Sequence, residues 1–214
     1  MKKNMISILP MNKFIVLFFL VFVSITISAQ KLYVWCPDEI DVKPRPGFLQ
    51  HDTINLVIFD GRTLPNRSKV ECESSEVISS MVANITKAYP SAIINVLGDS
   101  GYYSDPMPNR ITIKIGISAY QAGFGVDVTI GIGSIGGNVI FGAVPQGQWN
   151  GITGYYVRLY DYRKGKSDKF TTSISKIASK PNMGGYMTAK HCLNTTFSES
   201  NQDLLFFIDN SLMK

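Results

Sequence analysis

Hydrophobic and polar positions alternate most cleanly in "ITIKIGISAY". Ile111, Ile113, Ile115, Ile117 and Ala119 fall on one face; Thr112, Lys114, Gly116, Ser118 and Tyr120 fall on the other. This is the period-2 signature of a strand with one buried face. Upstream, Ile54, Leu56, Val57, Ile58 and Phe59 form a nearly continuous apolar run closed by Asp60-Gly61-Arg62, the pattern of a strand covered on both faces. Val77, Ile78, Met81, Val82 and Ile85 then recur at helical spacing. Ser74 or Ser75 can cap that helix, Glu76 suits its first turn, and Pro90 bars its continuation. "SAIINVL" predicts a second strand. The domain therefore opens with a β-α-β unit, whose right-handed crossover makes the two strands parallel if they share a sheet.

The second half of the chain predicts hairpins. In "VDVTIGIGSIGGNVIFGAV", Val126, Val128, Ile130 and Ile132 face one way, and Asp127, Thr129, Gly131 and Gly133 face the other. The stretch reads as a β-hairpin turning near Ser134 to Gly137. "GYYVRLYDYRKGKSDKFTTSISKIA" predicts another hairpin around Arg163 to Asp168, because Lys164, Gly165 and Lys166 are turn-prone residues between β-rich flanks. At the C-terminus Ala189, Leu193 and Phe197 are spaced by four, and Leu204, Ile208 and Leu212 repeat the spacing. The weak helix formers from Ser198 to Gln202 leave one long helix and two shorter ones as alternatives. The fold class is α/β, with α+β the alternative: a single mixed sheet opening with β-α-β, Gly-rich hairpins, and a C-terminal helix packed on the sheet.

The first residues change the compartment. Lys2, Lys3 and Lys13 precede an apolar run from Phe14 to Val23, and "SITISAQ" follows. This is the layout of a secretory signal peptide cleaved after Ala29, with Met11 as a second possible start. The run is short for a membrane-spanning helix. The expected organisation is a signal peptide over 1–29, an extended Pro-containing leader over 30–52, and one α/β domain over 53–214. Removing Lys2, Lys3 and Lys13 from the 21 basic residues leaves 18 against 16 acidic ones. That near-balance gives no argument for nucleic-acid binding. In an oxidising compartment two of Cys36, Cys72 and Cys192 can form a disulfide; small buried thiols are the alternative. Their spacing matches no zinc pattern, and no metal or cofactor is expected.

Candidate chemistry is sparse. His191 and Cys192 are adjacent, and neighbours on a helix point about 100° apart, so they make a poor nucleophile–base pair. Asp60, Asp99 and Asp161 fall near strand ends, where a hydrolase could use them, but such acids also serve turns. Gly131, Gly133 and Gly136 satisfy G-x-G-x-x-G, yet β-rich "NVIFGAV" stands where a phosphate loop needs a helix. The better reading of those glycines is close approach of another backbone. Gly131, Gly133, Trp149, Tyr155, Arg158 and Tyr160 are therefore the candidate interaction surface, through the hairpin and the aromatic-rich segment that follows it.

The order of features resembles a diffuse group of bacterial envelope lipoproteins, the ABC-transport auxiliary and YajG-like proteins. It is more distantly similar to curli-type and exopolysaccharide-export α/β subunits. The residues that carry the likeness are Asp60 and Arg62 at a strand end, the Val77–Ile85 stripe, the strand Ile111–Ala119, and Val157, Leu159, Asp161, Gly165 and Lys166. The chain departs in lacking a lipid-bearing cysteine at the cleavage site and in carrying the Gly-rich insertion before Trp149. The export signal "SAQ" resembles those of Bacteroidetes-type bacteria and implies a Gram-negative cell. The resemblance implies a secreted, non-catalytic assembly or transport accessory of the periplasm or outer membrane. Its partner would be an envelope protein or a second copy, with peripheral outer-membrane contact a further possibility. A ring- or pore-forming subunit is the second reading and a hydrolase the third.

Overall fold

The computed structural model describes residues 31–125, 130–132, 138–140, 145–163, 165 and 168–213. The expected signal peptide, Gly133 and the turn Ser134 to Gly137 lie outside them. A seven-stranded mixed sheet carries two helices on one face. The strands are β1 (Leu32–Val34), β2 (Thr53–Asp60), β3 (Lys69–Val70), β4 (Ile93–Leu97), β5 (Ile111–Phe124), β8 (Gln148–Asp161) and β9 (Asp168–Pro181). A separate ribbon pairs β6 (Ile130–Ile132) with β7 (Asn138–Ile140), antiparallel, Ile130 opposite Ile140. The helices are α1 (Ser74–Ala88) and α2 (Tyr186–Leu212).

The opening β-α-β unit forms as the pattern dictates. β2 and β4 are parallel neighbours, Thr53 opposite Ile93 through Val57 opposite Leu97. β5 lies parallel to β2 on its other side, so the 98–110 connection crosses the end of β2. At 14 residues β5 outruns β2. Its first half pairs with β2 and its end with β1, Leu32 opposite Gly123. The leader thus contributes a strand of its own. The other edge of β5 pairs along its length with β8, and β8 with β9, giving the second predicted hairpin.

One sheet face meets both helices. Ile54, Leu56 and Ile58 of β2, Ile111, Ile113, Ile115 and Ile117 of β5, and Tyr155, Val157 and Leu159 of β8 join Val77, Met81 and Ile85 of α1 and Leu193, Phe197, Leu204 and Ile208 of α2. A register shift between Ile117 and Ala119 corrects the alternation read from sequence. Past that bulge Tyr120 enters the helix-side core and Ala119 joins Val57, Tyr102 and Ile152 on the opposite side. α2 is one helix of 27 residues. Thr196, Ser200 and Asn201 in its weak middle are buried. The Thr196 and Thr153 hydroxyls bond at 2.8 Å, and Asn201 Nδ2 donates to the Phe197 carbonyl. The start of α1 also differs from expectation. Glu73 is the N-cap, and its N–H donates to the Glu76 carboxylate at 2.8 Å. The Ser74 hydroxyl is spent on Asp60 instead.

Cys36 and Cys72 form a disulfide, and Cys192 is a buried free thiol. The bridge ties the segment after β1 to the turn leading into α1. Among the described residues, no helix is long and apolar enough to cross a membrane.

Candidate functional site: the sheet face away from the helices

Strand alternation divides the predicted interaction residues between two faces. The odd positions of β8 point to the helices. Trp149 is buried against Tyr33, and fully buried Tyr155 accepts a hydrogen bond from Asn201 Nδ2 at 3.3 Å. Burial pushes the Tyr155 phenol well above its ordinary pKa. With no exposed surface, Tyr155 belongs to the core rather than to a partner-binding surface. Arg158 and Tyr160, at even positions, share the opposite face and are half-buried. Gly131 sits opposite Val139 in the small ribbon, whose β7 contacts β8 and β9. The structure thus brings Arg158 and Tyr160 together, places Trp149 and Tyr155 behind the sheet, and leaves Gly133 outside the described residues.

The three strand-end acids do not form one cluster: Asp99 follows β4 toward the Asp60 end, but Asp161 lies at the other. Asp60 stands opposite Ile117 at one end of the sheet, whereas Asp161 stands opposite Ile111 at the other, roughly 20 Å along β5. Each is engaged by an arginine two residues on. Arg62 donates to Asp60 through Nε and Nη2 at 2.8 and 2.6 Å, and Arg163 donates to Asp161 through Nε and Nη2 at 2.9 and 2.7 Å. Arg163 Nη1 also reaches Asp52 at 2.6 Å. These are bidentate structural pairs. His191 is exposed while Cys192 is buried, and the Cys192 thiol contacts the Trp149 carbonyl rather than the imidazole.

The register of the face away from the helices makes a lattice. Asn95, Asn55, Thr112, Tyr160 and Lys169 form one row across β4, β2, β5, β8 and β9; Leu97, Val57, Lys114, Arg158 and Thr171 form the next. Two cations, Lys114 and Arg158, therefore stand directly opposite each other, an arrangement that costs stability when nothing offsets it. The 98–110 connection folds over this region. Tyr102 packs on Val57, and the carbonyls of Tyr102 and Ser104 accept hydrogen bonds from Lys114 Nζ. Lys114 is 3% exposed. Burial, then the charge of Arg158, lowers its pKa; Asp105 opposes them through its charge without pairing. The Arg158 guanidinium lies 4.5 Å from the Tyr102 ring centre, and Nη2 donates to the Tyr102 carbonyl at 3.4 Å. Lys114 and Lys169 approach the Tyr160 ring to 6.0 and 5.8 Å. Sequence alternation already marked Lys114 as sharing a face with Thr112, but its pairing opposite Arg158 follows from the strand order.

No family model matches the chain, and no curated protein matches it in sequence. Solved structures align with most of the chain at low similarity. Protein XCC0632 from Xanthomonas campestris, of family model DUF330, is 8% identical over 86% of this chain and 99% of its own, with a TM-score of 0.44. Protein CT253 from Chlamydia trachomatis is 8% identical over 77% and 99%, with a TM-score of 0.46. Lipoprotein GNA1162 from Neisseria meningitidis is 11% identical over 74% and 99%, with a TM-score of 0.28. Likenesses this distant carry no role over to this chain.

Proposed function

We propose that this protein is an exported cell-envelope component that acts by binding, as an accessory in assembly or transport, through the sheet face away from its helices. The observation that carries the reading is the stripe Tyr156, Arg158, Tyr160 and Lys169, which stays half-buried or exposed on that face while both helices pack on the other. Tyrosines and arginine together supply apolar area and directed donors, the composition of binding surfaces. Export is supported by the charged and apolar start of the sequence and by the Cys36–Cys72 disulfide, a bond characteristic of oxidising compartments.

The test is cell fractionation. The mature chain is expected to begin near Gln30 and to be retained with the envelope. Tyr160→Ala and Lys169→Glu should release it without lowering its melting temperature. An unprocessed start, or variants retained as firmly as the wild type, would overturn the reading. The edge of β9 favours self-association as a second reading, because among the described residues its 14 residues pair with β8 alone. A discrete oligomer in light scattering, lost on placing a proline within β9, would select it.

A further inference from the structure

Arg45, Arg62 and Arg163, the other arginines drawn in from solvent, each hold a carboxylate: Asp209, Asp60, and Asp161 with Asp52. Arg158 holds none. Among the described residues, no acid makes an ion pair with Arg158, Lys114 or Lys169. Arg158 Nε is shielded from solvent and makes no hydrogen bond. On β5 next to it, and on β2 beyond, the Thr112 hydroxyl and Asn55 Nδ2 are also buried and unpartnered, on residues 3% and 1% exposed. Asn55 Oδ1 is occupied by Asn95, so its free group is the donor. Asn55, Thr112, Lys114 and Arg158 are contiguous in the ladders β2–β5–β8. A buried donor left unpaired destabilises the fold, the more so when it is charged. Here unmet donors gather with cations that form no ion pair among the described residues and are opposed only by the more distant charge of Asp105.

We propose that Asn55, Thr112, Lys114 and Arg158, with Lys169 at the rim, form an oxyanion-binding site for a phosphate or carboxylate group. The inference rests on the binding role of this sheet face and names the chemistry recognised there. An oxyanion has acceptors for several donors at once, and its charge offsets the like-charged pair. The carbonyls of Tyr102 and Ser104 fix Lys114 from the loop side. Tyr156 and Tyr160 flank Arg158 at two-residue spacing on the same face, so the body of a larger anionic molecule would rest on their rings.

The probes are inorganic phosphate, D-glucuronate and, as a neutral control, methyl glucoside, each added to the mature protein at fixed ionic strength. Phosphate or glucuronate should raise the melting temperature and shift the Arg158 Nε–H resonance, and the neutral sugar should do neither. The anion that binds more tightly identifies a phosphoryl or a carboxylate ligand. Lys169→Ala, at an exposed position, should weaken binding about tenfold, the loss of one charge-assisted contact. Arg158→Gln should abolish it. Absence of any response to both anions would overturn the site, as would a response that persists unchanged in Arg158→Gln and Lys169→Ala. If the anions fail to bind while Tyr160→Ala still releases the protein from the envelope, the oxyanion site falls and the binding role of the face stands.

Discussion

Gly151 of β8 lies directly against the backbone of Cys192 in α2. A Cβ at position 151 would meet the Cys192 carbonyl group and the Leu193 nitrogen, neither of which can rotate aside. The long helix therefore seats on the sheet at a point where only hydrogen fits. Gly151→Ala should displace α2 and cost about 3 kcal/mol or more, the scale of overpacking in a close-packed core. Gly98→Ala, where an added methyl meets nothing within 4 Å and the backbone is unstrained, is the matched control. A urea midpoint lowered for the first variant and unchanged for the second is the expected outcome.

Phe197 fixes the same helix further along. It is fully buried and meets Tyr120 edge-on, with ring centres 5.4 Å apart. Phe197→Ala should destabilise by about 3–5 kcal/mol. Denaturant unfolding measures this. An unchanged midpoint would contradict the packing of α2 on the sheet.

Periodicity made much of this arrangement legible. The stripe Val77–Ile85 and the two apolar strands around it were enough for β-α-β, and Leu193, Phe197, Leu204 and Ile208 face the sheet as their spacing required. Position parity in β8 also separates Trp149 and Tyr155 from Arg158 and Tyr160, a signal present in the sequence but outweighed there by aromatic composition. The bulge at Ser118 was hard to place, because "ISAY" keeps the alternation and the change of phase shows only afterwards, at Gln121 and Ala122; the ladder shows that Tyr120 takes the place due to Ala119. The oxyanion site was hidden for a similar reason. Asn55, Thr112 and Arg158 are far apart in sequence, and they become neighbours only because β5 inserts between β2 and β8.

The disulfide should contribute strongly to stability. Cys36 and Cys72 are 36 residues apart, a loop for which the chain-entropy relation gives about 4 kcal/mol. The double variant Cys36→Ser/Cys72→Ser should lose that much in denaturant unfolding. Its midpoint should no longer respond to reductant, while that of the wild type falls. A wild-type midpoint indifferent to reductant would contradict the pairing.

The acid limb of the stability profile should report Asp60. Burial by itself would raise the pKa of this carboxyl. The hydrogen bonds and charge of Arg62, with the Ser74 hydroxyl and the Arg62 backbone N–H, outweigh it and hold the pKa below its ordinary value of 3.8. A carboxyl whose folded pKa lies below its unfolded one binds protons more readily when the chain unfolds. Its contribution is therefore fully present above the unfolded pKa and is lost as pH falls through the folded one. The window lies below about pH 4. The pair also anchors the β2–α1 junction, since Asp60 receives the Ser74 hydroxyl and Arg62 Nη1 donates to the Tyr120 carbonyl at 3.1 Å. Asp60→Asn removes the titrating group and leaves Arg62, 4% exposed, without its counter-charge. The variant should be less stable at neutral pH and should converge on the wild type as pH is lowered. Urea midpoints measured from pH 7 down to the acid limit should therefore show a smaller slope for Asp60→Asn. Parallel wild-type and variant profiles would show that Asp60 is not ionised in the folded protein or is not held by Arg62.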